Sequence, residues 1–585
     1  MDIEGILEEE KVKISIDENG VIARITPFNH NKDLIIKPRT VNLHMHLGES
    51  IFLNLPSLSL SEYLKYGDEY FLKNADLYRK ETEILTGKLA EGFGIRAALV
   101  GRSIYYSTNN RLSLISGYPL MNSPKLSGYL NNFIERSKSY QAVWVHSLDR
   151  IDEDTITQLS SLKGKILTIH INETIPEIES SYKRYGITPI ERLYEAGLLT
   201  EKTILANCNY LTDKEIMLIK KANAIVAISP VSSLWLKNRL PPIEELLENK
   251  IRVNISTDGL ATGRTFSQYK QLGILCKAKG IILEEVEACI TSGYGVFEDA
   301  RIEEGAFANL MLLDKDFNPK LNIVGNDAFG PDYTLLDRIK EISEKTTHLK
   351  FKKDNWPYTA LCIDWGNTLV DFEKSYNKCA TVLAEYLNKK FNTNITAQQY
   401  LELYRRVKEM RGSYNGDIRR HRWGEFEKEL LNMMSINVDN KEIVSTAKEM
   451  HSISIDYLEY KDALDLFRFS QSLGMKNIVV SNANTEKLRA ELAKSPFKDM
   501  IFEIIDSESV GGDKKTKLPF MKLSKYAKLN KVIMIGDRKD EDGIIEEFGG
   551  LFIKHNPKNH NMKKELQLLQ ELYDTMNIRT DTAIM

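Results

Sequence analysis

Long apolar runs are missing from this sequence. No uninterrupted stretch reaches the roughly 18 residues that a membrane-crossing helix requires, and the opening MDIEGILEEEKVK is acidic, without the apolar core of a secretory signal. No membrane partner is expected. Paired cysteines are missing too. The five present, Cys208, Cys276, Cys289, Cys362 and Cys379, are scattered and form no C-x-x-C, which argues against a disulfide framework and a zinc ribbon. A reducing cytoplasm is the expected location. Nor is there an excess of charge of one sign: 79 basic against 82 acidic residues leave a net charge of -3. Nothing global draws such a chain to nucleic acid. Short internal repeats and low-complexity tracts are also absent.

What is present is globular. A chain of 585 residues with 42% apolar content has the length of roughly two to four domains and ample material for their cores. Through the first 300 positions, short β-branched runs alternate with helical patterns: VNLH, IRAALVG, RLSLISG, AVWVH, KILTIH, KTILAN, AIVAIS and IRVNIST. Eight strands in that order predict an α/β fold, a TIM-like (β/α)8 barrel over residues 41–299. One link is short, because residues 102–110 leave no room for a full helix. Strand-like segments on both sides, in residues 1–40 and 300–335, are expected to pair as a small flanking β-sandwich. The charged stretch 336–357 reads as a solvated helix and linker. A second α/β unit, Rossmann-like, follows over 358–560 with strands at TALCID, KNIVVSN, KVIMIGD and GLFIKHN, a helical cap over about 374–460, and a helix or tail over 561–585.

The segment VNLHMHLGES places His44 and His46 two apart on a strand. Side chains alternate along a strand, so both face one way. Alone, the pair suits a cation or a hydrogen-bonded strand end equally well. Further donors stand at later strand ends: His170 with Glu173 in ILTIHINET, and Asp258 in RVNISTDGL. In a barrel all of these open onto the C-terminal face, where active sites are built. Three imidazoles and one carboxylate offer four ligands to a divalent transition metal, zinc foremost, with iron or manganese as alternatives. Such an ion lowers the pKa of water to about 7. Glu173 could then carry the proton.

Taken in order, HMHLGES, HINETIPEIE, ILANCNYLTDKEI, ISPVSSLWLKNRLPPIEELLENKIRVNISTDGLAT and EEGAFANLMLLD resemble the amidohydrolase superfamily, in its branch of cytosine, guanine and S-adenosylhomocysteine deaminases. The resemblance implies deamination of a purine, pyrimidine or nucleoside-like compound, with the metal on His44, His46, His170 and Asp258 and with Glu173 as proton shuttle. AVWVH holds no lysine where dinuclear relatives carry a bridging carbamate, which implies one metal. Asn207 stands where the family has a histidine. An asparagine hydrogen-bonds but takes no proton, and general acid–base help is worth about 10²- to 10⁴-fold. Glu173 or His146 would have to compensate. His146, Ser229, Trp235 and Arg264 are the candidate substrate-binding residues, together with Ser232 and Ser233, in segments expected to rim the barrel mouth. Trp235 could stack on a flat base or pack beneath a loop.

In the second unit, LCIDWGNTLVD puts Asp364 at a strand end, followed by a turn and Thr368. A carboxylate there can attack phosphorus when a cation offsets the charge. Ser481 in IVVSNAN could hold a phosphate oxygen, Lys517 in KTKLPF could supply a countercharge with Lys514 and Lys515 as competitors, and Asp537 and Asp542 offer oxygens to magnesium beside Asp364. This ordered set is similar to the haloacid dehalogenase superfamily of phosphatases, which implies magnesium-dependent hydrolysis of a nucleotide or sugar phosphate. Gly366 stands where phosphatases of that family carry a second aspartate. Within the cap, Arg405, Arg406, Arg411, Arg419, Arg420 and Arg422 lie beside Tyr404, Tyr414 and Trp423, as a solvated helix face or as a seat for a phosphorylated substrate.

Together these features predict a bifunctional hydrolase, a deaminase joined to a phosphatase, acting on a small heterocycle or nucleotide and able to form a homo-oligomer. The alternative is a regulatory, nucleotide-binding pseudoenzyme, or a chain in which only the second half turns over, because Asn207 and Gly366 each replace a proton-transfer residue.

Overall fold

The computed structural model describes residues 1–71, 75–101, 111–120, 140–148, 153–162, 164–347, 356–412 and 422–578, with single residues at 135, 138 and 349. The short second link of the barrel, the end of the expected linker, Arg419, Arg420 and Tyr414 lie outside the described residues. The chain divides into two compact units, one built mainly from residues 1–356 and the other mainly from residues 357–570. Among the described residues no helix is long and apolar enough to cross a membrane.

In the first unit the eight expected strands form: β1 (Thr40–His46), β2 (Ile95–Gly101), β3 (Ser113–Leu120), β4 (Ala142–Ser147), β5 (Ile166–Ile171), β6 (Thr203–Asn207), β7 (Ile225–Ile228) and β8 (Arg252–Ile255). Each pairs in parallel with its neighbour in chain order. The sheet closes because the chain leaving β8 returns at Asp258 and Gly259 to pair with Met45 and His46 of β1. Asn254 sews the same seam with its side chain, accepting from the Leu43 amide at 3.0 Å and donating to the Val41 carbonyl at 3.0 Å. The result is a TIM-like (β/α) barrel.

The interior is filled as a packed core. Val41, Leu43, Leu99, Trp144, Ile204 and Ala227 form one buried cluster. Strict alternation would set Leu43 and His44 on opposite faces, yet Leu43 packs with Trp144 and His44 stacks on it, with ring centroids 4.8 Å apart. The pairing of β1 with β2 shifts register between Asn42 and Met45. A bulge of this kind re-aims side chains beside a site.

The flanking element is hydrogen-bonded as one seven-stranded sheet. Strands Asn309–Leu313, Pro319–Val324 and Asp327–Phe329 from beyond the barrel join four strands from before it, with Leu312 opposite Ile36 in the antiparallel seam. Val21 bridges Phe307 and the Ile22 amide donates to the Ala306 carbonyl at 2.8 Å, so the strand Ile22–Pro27 meets the segment leading into Asn309–Leu313 and the sheet curls back on itself.

The helix expected at the start of the charged stretch spans Thr334–Thr347, but it is not wholly solvated: it buries Leu336, Ile339, Ile342, Ser343, Thr346 and Thr347. Leu336 and Ile339 pack with Met45, Leu89 and Val100. Apolar positions at three- and four-residue spacing hide among charges here, and helical period rather than mean polarity decides.

The second unit is built on five parallel strands, β9 (Ala360–Ile363), β10 (Lys476–Ser481), β11 (Glu503–Asp506), β12 (Val532–Gly536) and β13 (Leu551–Lys554), in the order β11-β10-β9-β12-β13. The order reverses between β9 and β12. In open parallel sheets the crevice at the carboxyl ends flanking such a reversal is where ligands bind. Between β9 and β10 the chain forms helices Phe372–Phe391, Ala397–Gly412, Glu425–Met433 and Asn440–Ser454, which share a core of Leu383, Leu387, Tyr400, Val407, Leu430 and Met450.

Candidate active site

β1, β5 and the continuation of β8 bring His44, His46, His170 and Asp258 together, with one ligand atom of each within 4.8 Å of all the others. The Nε2 atoms of His46 and His170 face each other at 3.4 Å. Oδ1 of Asp258 lies 3.4 Å from His46 Nε2 and 3.6 Å from His44 Nε2. Four donors about 2.1 Å from a common centre stand about 3.4 Å apart, so these separations are those of a tetrahedral set.

The remaining atoms of three of the ligands are held by neighbours. His46 Nδ1 lies 3.3 Å from Glu49. His170 Nδ1 bonds the His146 carbonyl at 3.0 Å. Ser232 and Thr262 donate their hydroxyls to Oδ2 of Asp258 at 2.5 and 2.8 Å. Such contacts fix tautomer and direction, leaving the other atom free for a metal. His44 is fully buried, and neither ring nitrogen has a hydrogen-bond partner among the described residues. An orphaned imidazole in the interior is costly unless something binds it. The donor set therefore fits a divalent transition ion.

Electrostatics agree. Burial lowers the pKa of His44, His46 and His170, and for His170 the adjoining rings lower it further. Neutral imidazoles are the form that ligates. Burial works to raise Asp258, but His44, His46 and His170 outweigh it and hold the carboxyl below its usual range. Glu173 goes the other way: burial, then the charges of Asp258 and Glu177, push it well above the usual range, while a hydrogen bond from Asn207 opposes them. A buried carboxyl of that kind is suited to holding and releasing a proton. Asn207 and Asp258 take φ of +71° and +57°, a left-handed geometry that asparagine and aspartate tolerate better than most residues.

Residues 153–337 match the model of the amidohydrolase family. A 5'-deoxyadenosine deaminase of Methanopyrus kandleri is 29% identical over 216 residues, covering 34% of this chain and 50% of that protein. A 5-methylthioadenosine/S-adenosylhomocysteine deaminase of Caldanaerobacter subterraneus subsp. tengcongensis is 23% identical over 405 residues, covering 59% of this chain and 91% of that protein. The barrel unit is thus similar to the amidohydrolase family, and the chain spans half the length of the first of these relatives. Among solved structures, a zinc-bound adenosine deaminase from Xanthomonas campestris is 18% identical, with a TM-score of 0.47 over 60% of this chain and 98% of that one.

Not every expected residue of the amidohydrolase unit faces this cluster. Trp235 is 1% exposed, with the Arg264 guanidinium 4.2 Å above its ring. Arg264, also buried, donates to the carbonyls of Leu53, Ala261 and Met576, and burial lowers its pKa to about 9. Both are interior packing groups, which is the packing alternative for Trp235 and moves Arg264 away from the expected rim. Ser229 is buried at the start of the short helix Pro230–Trp235. Thr262 and Glu49 carried no signal in the sequence, since a hydroxyl four residues after Asp258 or a carboxylate three after His46 is commonplace.

The second unit gathers Asp364, Asp537 and Asp542 within 4.8 Å of one another, at the ends of β9 and β12 on either side of the order reversal. Lys514, 2% exposed, donates to Asp364 at 2.5 Å and also to Asp542. Lys517 instead pairs with Glu547 on the exposed surface. The countercharge expected of Lys517 thus belongs to Lys514, whose amide is held by the Asn482 side chain at 2.9 Å. Burial pushes Asp364 up to about 6, the nearby Lys514 opposing and Asp537 adding to the rise. Asp542 rises to about 7 through burial, with Lys514 opposing and Asp364 adding. Gly536 is required here, because a Cβ would fall 2.1 Å from Oδ2 of Asp542. Thr368 is buried, its hydroxyl without a partner among the described residues, and Ser481 lines the same cavity of about 410 Å³ as Asp364 and Asp537.

Proposed function

We propose that the amidohydrolase unit deaminates an adenosine-like nucleoside, with a divalent transition metal held by His44, His46, His170 and Asp258. The observation that carries this reading is the convergence of four buried donors within 4.8 Å of one another beside a carboxyl of raised pKa. The relatives' activities on 5'-deoxyadenosine and 5-methylthioadenosine give the substrate class. A bound ion of this kind supplies Lewis-acid activation of water at neutral pH. Glu173 takes a proton from the attacking water and returns it to the purine ring and the departing amine, so that water adds and ammonia leaves. Asn207 keeps its amide on Glu173 and orients that carboxyl, while His146 fixes His170 through its carbonyl.

For the second unit the reading is a phosphomonoester hydrolase similar to the haloacid dehalogenase phosphatases, acting on a nucleotide or sugar phosphate. Three carboxylates offering only oxygen suit magnesium, which would offset phosphate charge. Asp364 is the nucleophile, Thr368 and Ser481 hold phosphate oxygens, and Lys514 balances the carboxylates.

Metal analysis coupled to product release tests both. The wild-type chain is expected to retain a transition metal and to release ammonia from 5'-deoxyadenosine or 5'-methylthioadenosine. A His44→Ala, His46→Ala double variant should lose both. Protein that cannot be loaded with zinc, iron or manganese would defeat the barrel reading. Magnesium-dependent phosphate release that survives Asp364→Asn would remove the second.

A further inference from the structure

The second site lacks an acid at position 366, and a side chain added there would require the Phe372 ring to shift. A Cβ on Gly366 would lie 2.9 Å from Cε2 of Phe372. A phosphate ester with a poor leaving group nevertheless needs a proton delivered as its P–O bond breaks. The cavity that contains Asp364, Ser481 and Asp537 is also lined by His451 and Glu491. Glu491 is 2% exposed, and its two carboxylate oxygens are both engaged: Oε2 accepts from the Trp365 indole at 2.6 Å and Oε1 meets His451 Nε2 at 3.2 Å. Trp423 stands edge-on to the His451 ring with centroids 5.3 Å apart. A carboxylate on one ring nitrogen fixes tautomer and orientation and frees the other for proton traffic.

Resting on the phosphomonoesterase reading above, we propose that His451 is the general acid and base of the second site, with Glu491 as its positioning residue. In the first step Asp364 forms a bond to phosphorus, the bond to the leaving oxygen breaks, and the proton on His451 Nδ1 passes to that oxygen, releasing an alcohol. In the second, water attacks phosphorus, its proton returns to His451, and the bond to Asp364 breaks to release inorganic phosphate. The aromatic wall of Tyr376, Tyr404 and Phe426 surrounds the leaving group.

The test compares two esters on the same full-length preparation. Glycerol phosphate leaves as an alkoxide and needs the proton, whereas p-nitrophenyl phosphate leaves as a stable phenolate and does not. His451→Gln is expected to lower kcat on glycerol phosphate by about 100-fold while sparing p-nitrophenyl phosphate, and Glu491→Gln should shift the same ratio in the same direction. Added imidazole should restore glycerol phosphate turnover to His451→Ala. Equal losses on both esters without imidazole rescue would overturn the proposal while Asp364→Asn still abolishes turnover. Absence of magnesium-dependent turnover in the wild type would instead overturn the underlying reading, and this proposal with it.

Discussion

Replacing Lys514 by methionine isolates what the buried ammonium does in the second unit. Its side chain is 2% exposed and contacts Asp364 and Asp542, themselves 11% and 1% exposed. Methionine keeps most of the volume and removes the charge. The two carboxyls must then stay ionised without a partner or take up protons. Holding one carboxyl neutral at pH 7, against an unfolded-state pKa near 3.9, costs about 4 kcal/mol, at 1.36 kcal/mol per pH unit. That figure agrees with the roughly 3–5 kcal/mol usual for breaking a buried pair. The sign with pH follows from the direction of the shifts. Asp364 and Asp542 already sit high, at about 6 and about 7, and loss of Lys514 raises them further. A carboxyl whose folded pKa exceeds its unfolded value contributes stability below the unfolded pKa and loses it as pH rises through the folded one. The penalty of Lys514→Met should therefore be largest at pH 7–8 and shrink towards pH 5. Lys517→Met, which breaks an exposed pair with Glu547, should change stability by only about 0–1 kcal/mol at either pH. Calorimetry of the full chain in chelator-containing buffer, following the transition of the second unit, reads both variants. Equal destabilisation by the two, or a Lys514→Met penalty that does not depend on pH, would refute the reasoning.

Three further outcomes concern the barrel. Ser232→Ala removes a 2.5 Å donor from Asp258, and loss of such a support should weaken metal affinity by about 10- to 100-fold in a competitive chelator titration. Gly101→Ala would set a Cβ 2.6 Å from the Trp144 ring on which His44 stacks. Overpacking of about 1–3 kcal/mol should lower the melting temperature and weaken the metal together. Asn207→Ala removes the hydrogen bond that opposes the rise of Glu173, so the acid limb of the kcat/KM profile for ammonia release should move to higher pH.

The barrel was readable because each strand is a short β-branched run and each ligand sits at a strand end, where one-dimensional spacing already implies three-dimensional convergence. His44, His46, His170 and Asp258 could be grouped on that basis. What escaped depended on neighbours far along the chain. Three lysines in four residues, Lys514, Lys515 and Lys517, look alike in sequence; only the turn at Lys514–Thr516 decides which one is buried. Trp235 and Arg264 read as mouth residues because a tryptophan and an arginine after strand ends usually meet solvent, yet here they stack on each other inside. Strand β11, at the sheet edge, is four residues long and carries Glu503 and Asp506, too short and polar to mark itself. The pairing of His451 with Glu491 spans 40 positions, with no periodicity to announce it.

The two missing proton carriers are different kinds of loss. Asn207 occupies its position with a left-handed backbone and keeps a hydrogen bond to Glu173. What disappears is proton capacity, while the directing contact remains. In the proposed deamination the proton falls to Glu173, whose carboxyl burial holds above the usual range. At Gly366 the side chain and its contacts are gone, and the Phe372 ring lies 2.9 Å from where a Cβ would stand. Any proton must come from another wall of the cavity, and a helix of the inserted segment presents His451 there against a carboxylate that is itself anchored by the residue next to Asp364. A substitution that leaves a hydrogen bond shifts the work to an existing partner, whereas one that leaves a filled void shifts it to another element of the fold.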